Sequence, residues 1–215
     1  MNVLLIPSFN VIGGRLQPYV PYGLLSLQAS ARTFANAMVS VADLPARMLE
    51  TKYTRSDEIA EHFAAEFDLD GFDLYAISTI SDSAHYSLDL ARIIKSRRPS
   101  SLVALGGPYV TKLSDLVLKA FDYVDAVFIG ESELSFAALL RKSSPSEDIL
   151  EGIAGIRTRT VNFTPGEIVG NLDLLPYISD AAQYFSFVKS VKQFQGNEFA
   201  VPLEATRGCP LQCSS

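Results

Sequence analysis

The chain has 215 residues, 48% of them apolar and 20% charged, which suffices for one full α/β domain with material left over. Its net charge of −6 argues against sequence-independent binding to nucleic acid, which needs a basic surface, and no apolar run approaches the ~18–20 residues that span a bilayer. Both cysteines fall near the C-terminus, so no disulfide framework braces the fold and a reducing, cytoplasmic setting is expected.

Short β-rich runs alternate with segments of helical period. Asn2–Pro7 reads as a buried strand, without the basic start of a signal peptide. Tyr22–Ala35 follows as a helix opened by Pro21, with Leu24, Leu27, Ala31 and Phe34 near one face. Ala37–Ala42 is the second strand, and Asp57–Phe67 the second helix, with Ile59, Phe63 and Phe67 spaced by four. Phe72–Ile80 is the third strand, followed by a helix carrying Tyr86, Leu90, Ile93 and Ile94. Lys95, Arg97 and Arg98 end that helix before Pro99, where cations complement the helix dipole. Leu102–Leu105, a helix at Leu113–Phe121, a strand at Val124–Ile129 and a helix at Ser132–Leu140 complete the alternation.

Five βα units in residues 1–142 predict a five-stranded parallel sheet with helices on both faces. Ligands of such sheets bind beyond the C-terminal strand ends, near the point where strand order reverses. The candidate loops are therefore Ser8–Gly14, Thr79–His85, Gly106–Thr111 and Gly130–Glu133. Beyond Lys142, Ser143–Glu147 reads as a linker and Gly155–Val169 as a two-stranded ribbon turning at Pro165-Gly166. Asn171–Phe187 lacks a clear period, and Val201–Glu204 reads as a short strand.

Within the loops, adjacent Gly106 and Gly107 before Pro108 permit close backbone approach by a ligand, and equally suit a tight turn into a helix. Gly130-Glu131-Ser132-Glu133 ends the fifth strand similarly, with Ser132 fit to cap a helix and Glu133 suited to its first turn. Ser78, Thr79 and Ser81 supply hydroxyls at the third strand's edge. His62, flanked by Glu58 and Glu66 one turn either side, reads as part of a solvated charged face, while His85 begins the next helix on the ligand side. No Ser, Cys or carboxylate arrangement suggests hydrolytic catalysis. Cys209 and Cys213 form C-x3-C, which by spacing alone fits an incidental pair, a disulfide or half a zinc site.

Taken in order, P-Y-G-L-L-S-L (21–27), A-L-G-G-P-Y-V-T (104–111), V-D-A-V-F-I-G-E-S-E (124–133), L-D-L-L-P (172–176) and E-A-T-R-G-C-P-L-Q-C (204–213) resemble the cobalamin-binding radical S-adenosylmethionine (radical SAM) enzymes. The resemblance implies a Rossmann-like, flavodoxin-like cobalamin domain over residues 1–142, a linker with a ribbon over 143–200, and the first strand of a radical SAM barrel in 201–215. It implies cobalamin contacts from Ser8, Asn10, Ser78, Thr79, Ser81, Gly106, Gly107, Pro108, Tyr109, Gly130, Glu131 and Glu133. Cys209 and Cys213 match the first two thiolate ligands of a 4Fe–4S cluster whose open iron takes S-adenosylmethionine. A third cysteine at the next position would complete C-x3-C-x2-C, so the chain is expected to stop inside that motif.

One departure matters. Cobalamin domains of the methionine-synthase type carry D-x-H-x-x-G after the first strand, the histidine ligating cobalt. Here the stretch reads Ser8-Phe-Asn10-Val-Ile-Gly13, and asparagine is a poor cobalt ligand, so a base-off corrinoid without histidine is expected. The intact enzyme would use a radical formed from S-adenosylmethionine to open an unactivated carbon or phosphorus centre of a small molecule or peptide to methylation. Ring-forming chemistry also occurs in the family. A non-catalytic cobalamin carrier, or a flavodoxin-like domain that has lost the cofactor, are the alternatives for this chain by itself.

Overall fold

A computed structural model describes residues 1–17, 19–44, 46–142, 147–159, 163–178 and 207. The first strand, β1 (Val3–Ile6), runs into a short antiparallel hairpin of β2 (Val11–Ile12) and β3 (Arg15–Leu16). Helix α1 (Tyr22–Ala35) starts after Pro21 and ends at Asn36, whose left-handed backbone (φ 49°) closes the last turn by donating its N–H back into the helix. Strand β4 (Ser40–Val41), helices α2 (Ala46–Glu50) and α3 (Ser56–Glu66), strand β5 (Leu74–Ser78), helix α4 (Ala84–Arg97) and strand β6 (Leu102–Gly106) follow. Helix α5 (Pro108–Ala120), strand β7 (Ala126–Phe128), helix α6 (Glu133–Leu140) and strand β8 (Ile156–Arg157) complete the fold, with single 3-10 turns at Ser81–Ser83, Glu147–Leu150 and Leu172–Leu174.

The sheet order is β4-β1-β5-β6-β7-β8. The first five strands are parallel, as the alternating pattern predicts, and β8 adds an antiparallel edge to β7. The chain leaves β1 for the sheet edge at β4 and returns across it to β5, so strand order reverses between β1 and β5. That places a ligand crevice at their C-terminal ends.

Strand alternation divides the core in two. Leu4, Ile6, Tyr75, Ile77, Val103, Leu105 and Val127 face α3, α4 and α5, meeting Ile59, Phe63, Leu90, Ile94, Val110 and Val117. Val3, Leu5, Leu74, Leu102, Ala104, Ala126 and Phe128 face α1 and α6, meeting Leu24, Ala31, Phe136 and Leu139. Each large side chain removed from water here contributes ~1.5–3 kcal/mol.

Several expectations are revised by tertiary context. His62 is not on a solvated face: its Nδ1 lies 2.7 Å from Tyr53 Oη, and its Nε2 lies 3.6 Å from Glu66 Oε1. Lys95, Arg97 and Arg98 do more than offset a helix dipole. Lys95 Nζ donates to Asp125 and to Ser101 O, Arg97 to Ala64 O, and Arg98 to Asp70. Helix α5 begins five residues before its expected start, because Pro108 occupies its first turn and needs no N–H partner there. Of the expected ribbon, Ile156–Arg157 joins the main sheet instead, while residues 163–170 return as irregular chain tied by a Gly155 N–H to Thr164 O bond of 2.8 Å.

Candidate functional site

A cavity of about 500 Å³ opens at the C-terminal ends of β1, β5, β6 and β7. That volume lies within the ~300–1,000 Å³ of small-molecule sites. The residues beneath it explain why it exists. On the face toward α1 and α6, β5 reads Leu74, Ala76, Ser78 and β6 reads Leu102, Ala104, Gly106. Both strands taper from leucine to the smallest side chains toward their C-terminal ends. The opposite face keeps Tyr75, Ile77, Val103 and Leu105, so the helices there pack tightly while α1 and α6 stand off a slot. Phe128 and Phe136 meet edge to face at 6.1 Å and line one wall, and Leu24 and Leu27 of α1 line another.

The rim is made of the glycine loops. Gly107 has φ +117°, and a Cβ added there would lie 2.4 Å from Thr79 O, so β5 and β6 approach at their ends as only glycine allows. Thr79 N–H donates to Gly106 O at 2.7 Å across the same junction. Thr111 ties the two glycine loops together: its hydroxyl donates to Gly107 O at 2.9 Å and accepts from Gly130 N–H at 3.1 Å. Glu131 lines the cavity and accepts from Val169 N–H at 3.1 Å. At the β1 end, Ser8 Oγ and Tyr19 Oη are 2.7 Å apart, and Tyr19 Oη also donates to Ser8 O at 3.0 Å. Burial pushes the Tyr19 phenol above its ordinary value, against the lowering effect of these two bonds, so it stays protonated and a donor.

Of the residues expected to contact a cofactor, Ser8, Ser78, Gly106, Gly107, Pro108, Gly130, Glu131 and Glu133 line this cavity. Four do not. Thr79 is fully buried and clamps the strand ends, its hydroxyl donating to Ile77 O. Ser81 is exposed and donates to Asp82. Tyr109 is exposed on α5, and Asn10 enters the β2–β3 hairpin, its carbonyl accepting from Gln17 N–H. Cys209 and Cys213 lie outside the described residues, as do the expected strand at 201–204 and all but Glu147 of the expected linker Ser143–Glu147. Among the described residues no cluster of three or more metal-ligating side chains occurs, and no helix is long and apolar enough to cross a membrane.

Sequence reading missed Tyr19, Leu27, Phe128, Phe136 and Arg207 as lining residues. For the wall the available signal was the alternation L-Y-A-I-S and L-V-A-L-G, in which every second residue after the leucine is small. Nothing local marks Arg207, which reaches the cavity from far along the chain.

The lining chooses among ligands. Its depth is apolar, and its charged groups are Glu131, Glu133 and Arg207, the last paired with Glu133 at 2.7 Å. Two carboxylates against one engaged guanidinium disfavour a pyrophosphate or a terminal phosphate dianion. A largely neutral, mainly apolar ligand suits the slot, and the open space at Gly130 and the ordinary contact at Gly106 leave room at its rim.

A doubly wound α/β sheet whose helices α1 and α6, joined by a Ser26 Oγ to Glu133 hydrogen bond of 2.8 Å, cover such a slot defines a domain that holds a small-molecule ligand at its strand ends. Comparison with known proteins agrees: residues 12–140 match the B12 binding domain, and the chain belongs to that family. Among curated proteins it is similar to the uncharacterized methyltransferase PH0819 of Pyrococcus horikoshii, at 28% identity over 66% of this chain and 30% of that protein. It is also similar to the cobalamin-dependent radical SAM methyltransferase TokK of Streptomyces tokunonensis, at 26% identity over 66% of this chain and 21% of that protein. A third relative is the 2-(S-pantetheinyl)-carbapenam-3-carboxylate methyltransferase of Streptantibioticus cattleyicolor, at 26% identity over 66% of this chain and 21% of that protein. The match thus spans less than a third of each relative.

Proposed function

We propose that this chain is the cobalamin-binding portion of a radical SAM methyltransferase. In this reading the slot between the sheet and helices α1 and α6 would take part of the cofactor, with the glycine rim at its mouth. The observation that carries the reading is the taper of β5 and β6 to Ser78 and Gly106, which opens an apolar slot at the C-terminal strand ends within the stretch that matches the B12 binding domain. The Gly106, Gly107 and Gly130 backbone accepts close approach, Tyr19 and Ser8 bind polar groups at the margin, and Phe128 and Phe136 keep water from the depth. A corrinoid held there would supply a carrier for the transferred methyl group. Cys209 and Cys213 would contribute two thiolates to a 4Fe–4S cluster that activates S-adenosylmethionine. The acceptor would be an unactivated carbon or phosphorus centre in a small molecule or peptide. Methyl transfer is favoured over ring formation because all three relatives are named as methyltransferases and match this chain at 26–28% identity.

The test is a spectral titration of the purified chain with hydroxocobalamin. Saturable binding with a base-off spectrum is expected, since no histidine follows β1 in the stretch from Ser8 to Gly13. A histidine-ligated spectrum would contradict the assignment of that loop, and absence of any retained corrinoid would overturn the reading as a whole.

A further inference from the structure

The ladder between β6 and β7 ends where Gly106 pairs with Phe128, short of Gly130. Beyond that rung the backbone leaves the sheet, with Gly107 at φ +117° and Gly130 at φ +74°. The two exit loops thus lose their ladder bonds at the place where they rim the slot. On the β5 side the rim is fixed by backbone alone, because Gly107 lies directly against Thr79 O. On the β7 side a side chain bridges the gap.

That side chain is Thr111, one turn into α5. Its N–H donates to Gly107 O at 3.1 Å, as the helix requires, and its hydroxyl donates to the same carbonyl at 2.9 Å. The hydroxyl proton is thereby committed, and the oxygen's lone pairs remain for an incoming donor. The Gly130 N–H is that donor, at 3.1 Å. Gly130 is exposed, and a Cβ built on it would meet nothing within 4 Å, so steric packing does not hold it in place. The other bonds of its loop run away from β6: Ser132 Oγ donates to Gly130 O at 3.2 Å, and Glu131 accepts from Val169 N–H at 3.1 Å. Both glycines line the cavity and Thr111 does not, so any influence of Thr111 on a ligand passes through them.

We propose that Thr111 is a positioning residue for the slot, its hydroxyl holding the β6 and β7 exit loops at a fixed separation so that the rim is set before a ligand arrives. The identity of that ligand rests on the cobalamin reading above; the tie between the loops does not. A rim set in advance spares the ligand the cost of ordering it. Loss of the tie therefore lowers affinity although no contact to the ligand is removed.

The experiment compares the full chain with Thr111→Val, which keeps the shape and loses the hydroxyl, and Thr111→Ser, which keeps the hydroxyl. In hydroxocobalamin titrations Thr111→Val should raise Kd about fivefold, the share of one hydrogen bond, and Thr111→Ser should stay within about twofold of wild type. Amide exchange followed by NMR reads the tie without any ligand. Exchange at Gly130 should speed about tenfold in Thr111→Val relative to Val103, whose N–H is bonded to Asp125 in the core, and should not do so in Thr111→Ser. An equal rise at Gly130 and Val103 would show general loosening of the fold and overturn the tie. Wild-type affinity in Thr111→Val overturns the positioning role and leaves the cobalamin reading in place. A wild-type chain that binds no hydroxocobalamin removes the cobalamin reading, and the exchange ratio then decides by itself whether Thr111 holds the rim.

Discussion

Gly106 and Gly107 are adjacent and do opposite jobs. Gly107 has a positive φ, and a Cβ on it would strike Thr79 O at 2.4 Å, backbone that cannot swing away. Gly107→Ala should therefore destabilise the fold by at least ~2 kcal/mol, read as a lowered urea midpoint. Gly106 lies in β6 with ordinary strand backbone, and its Cβ would meet only Phe128 Cβ at 3.6 Å, an ordinary contact. Gly106→Val suits a strand and leaves stability within ~1 kcal/mol of wild type, but its methyl groups enter the slot. Hydroxocobalamin affinity should fall at least about tenfold, a loss of ~1.4 kcal/mol. If Gly106→Val binds normally while Gly107→Ala unfolds, the glycine pair serves the turn alone and the slot lies elsewhere. Sequence reading gave both residues one role, since two adjacent glycines carry no mark of which one faces a ligand.

Elements are held in register by a few buried polar contacts as well as by apolar packing. Asp125, just before β7, accepts from Val103 N–H at 2.7 Å and from Lys95 Nζ at 2.8 Å, while Lys95 also reaches Ser101 O at 2.9 Å. One carboxylate thus joins α4, β6 and β7 below the slot. Asp125→Ala leaves a half-buried ammonium and an orphaned backbone donor, and should cost ~3–5 kcal/mol in urea unfolding. Asp125→Asn keeps an acceptor for Val103 N–H and should cost less; equal losses would mean that Lys95 alone sets the energy. The elements most legible in the sequence were those with strong local period, such as α1, whose expected span Tyr22–Ala35 is the observed one. The β2–β3 hairpin and α2 escaped because two-residue ladders and five-residue helices carry no period, and β8 because only its pairing with β7 makes it a strand. The glycine rim of the site was legible for the same reason as α1, as local punctuation after predicted strands. The α1 wall and Arg207 were not, because they reach the slot through tertiary packing.

At the scale of the whole molecule, burial is spread over tyrosines as well as aliphatic side chains, and this sets a limit on its stability in alkali. Burial pushes the phenols of Tyr19, Tyr53, Tyr75, Tyr86 and Tyr123 above their ordinary value. The causes differ in detail. Tyr75 is wholly buried and donates to Leu69 O, whereas Tyr53, pushed up to about 12, is raised by burial first and then by the carboxylates of Glu66 and Glu58. In the unfolded chain all five ionise near pH ~10. Below that pH both states hold these protons and stability does not depend on them. Above it the unfolded chain releases protons that the fold retains, so the free energy of unfolding falls as pH rises through the folded values. The urea midpoint should accordingly be flat from about pH 8 to 10 and decline toward pH 12, with phenolate absorbance appearing together with loss of structure. Tyr53→Phe forfeits the bond to His62 and so begins less stable, but it should lose part of the alkaline slope, because one proton is removed from the linkage. A midpoint that does not move above pH 10, or phenols that ionise well before the fold opens, would mean that these rings are open to water in the native state. In that case the tight packing on the α3–α4–α5 face, against which the open α1–α6 slot is defined, would not hold.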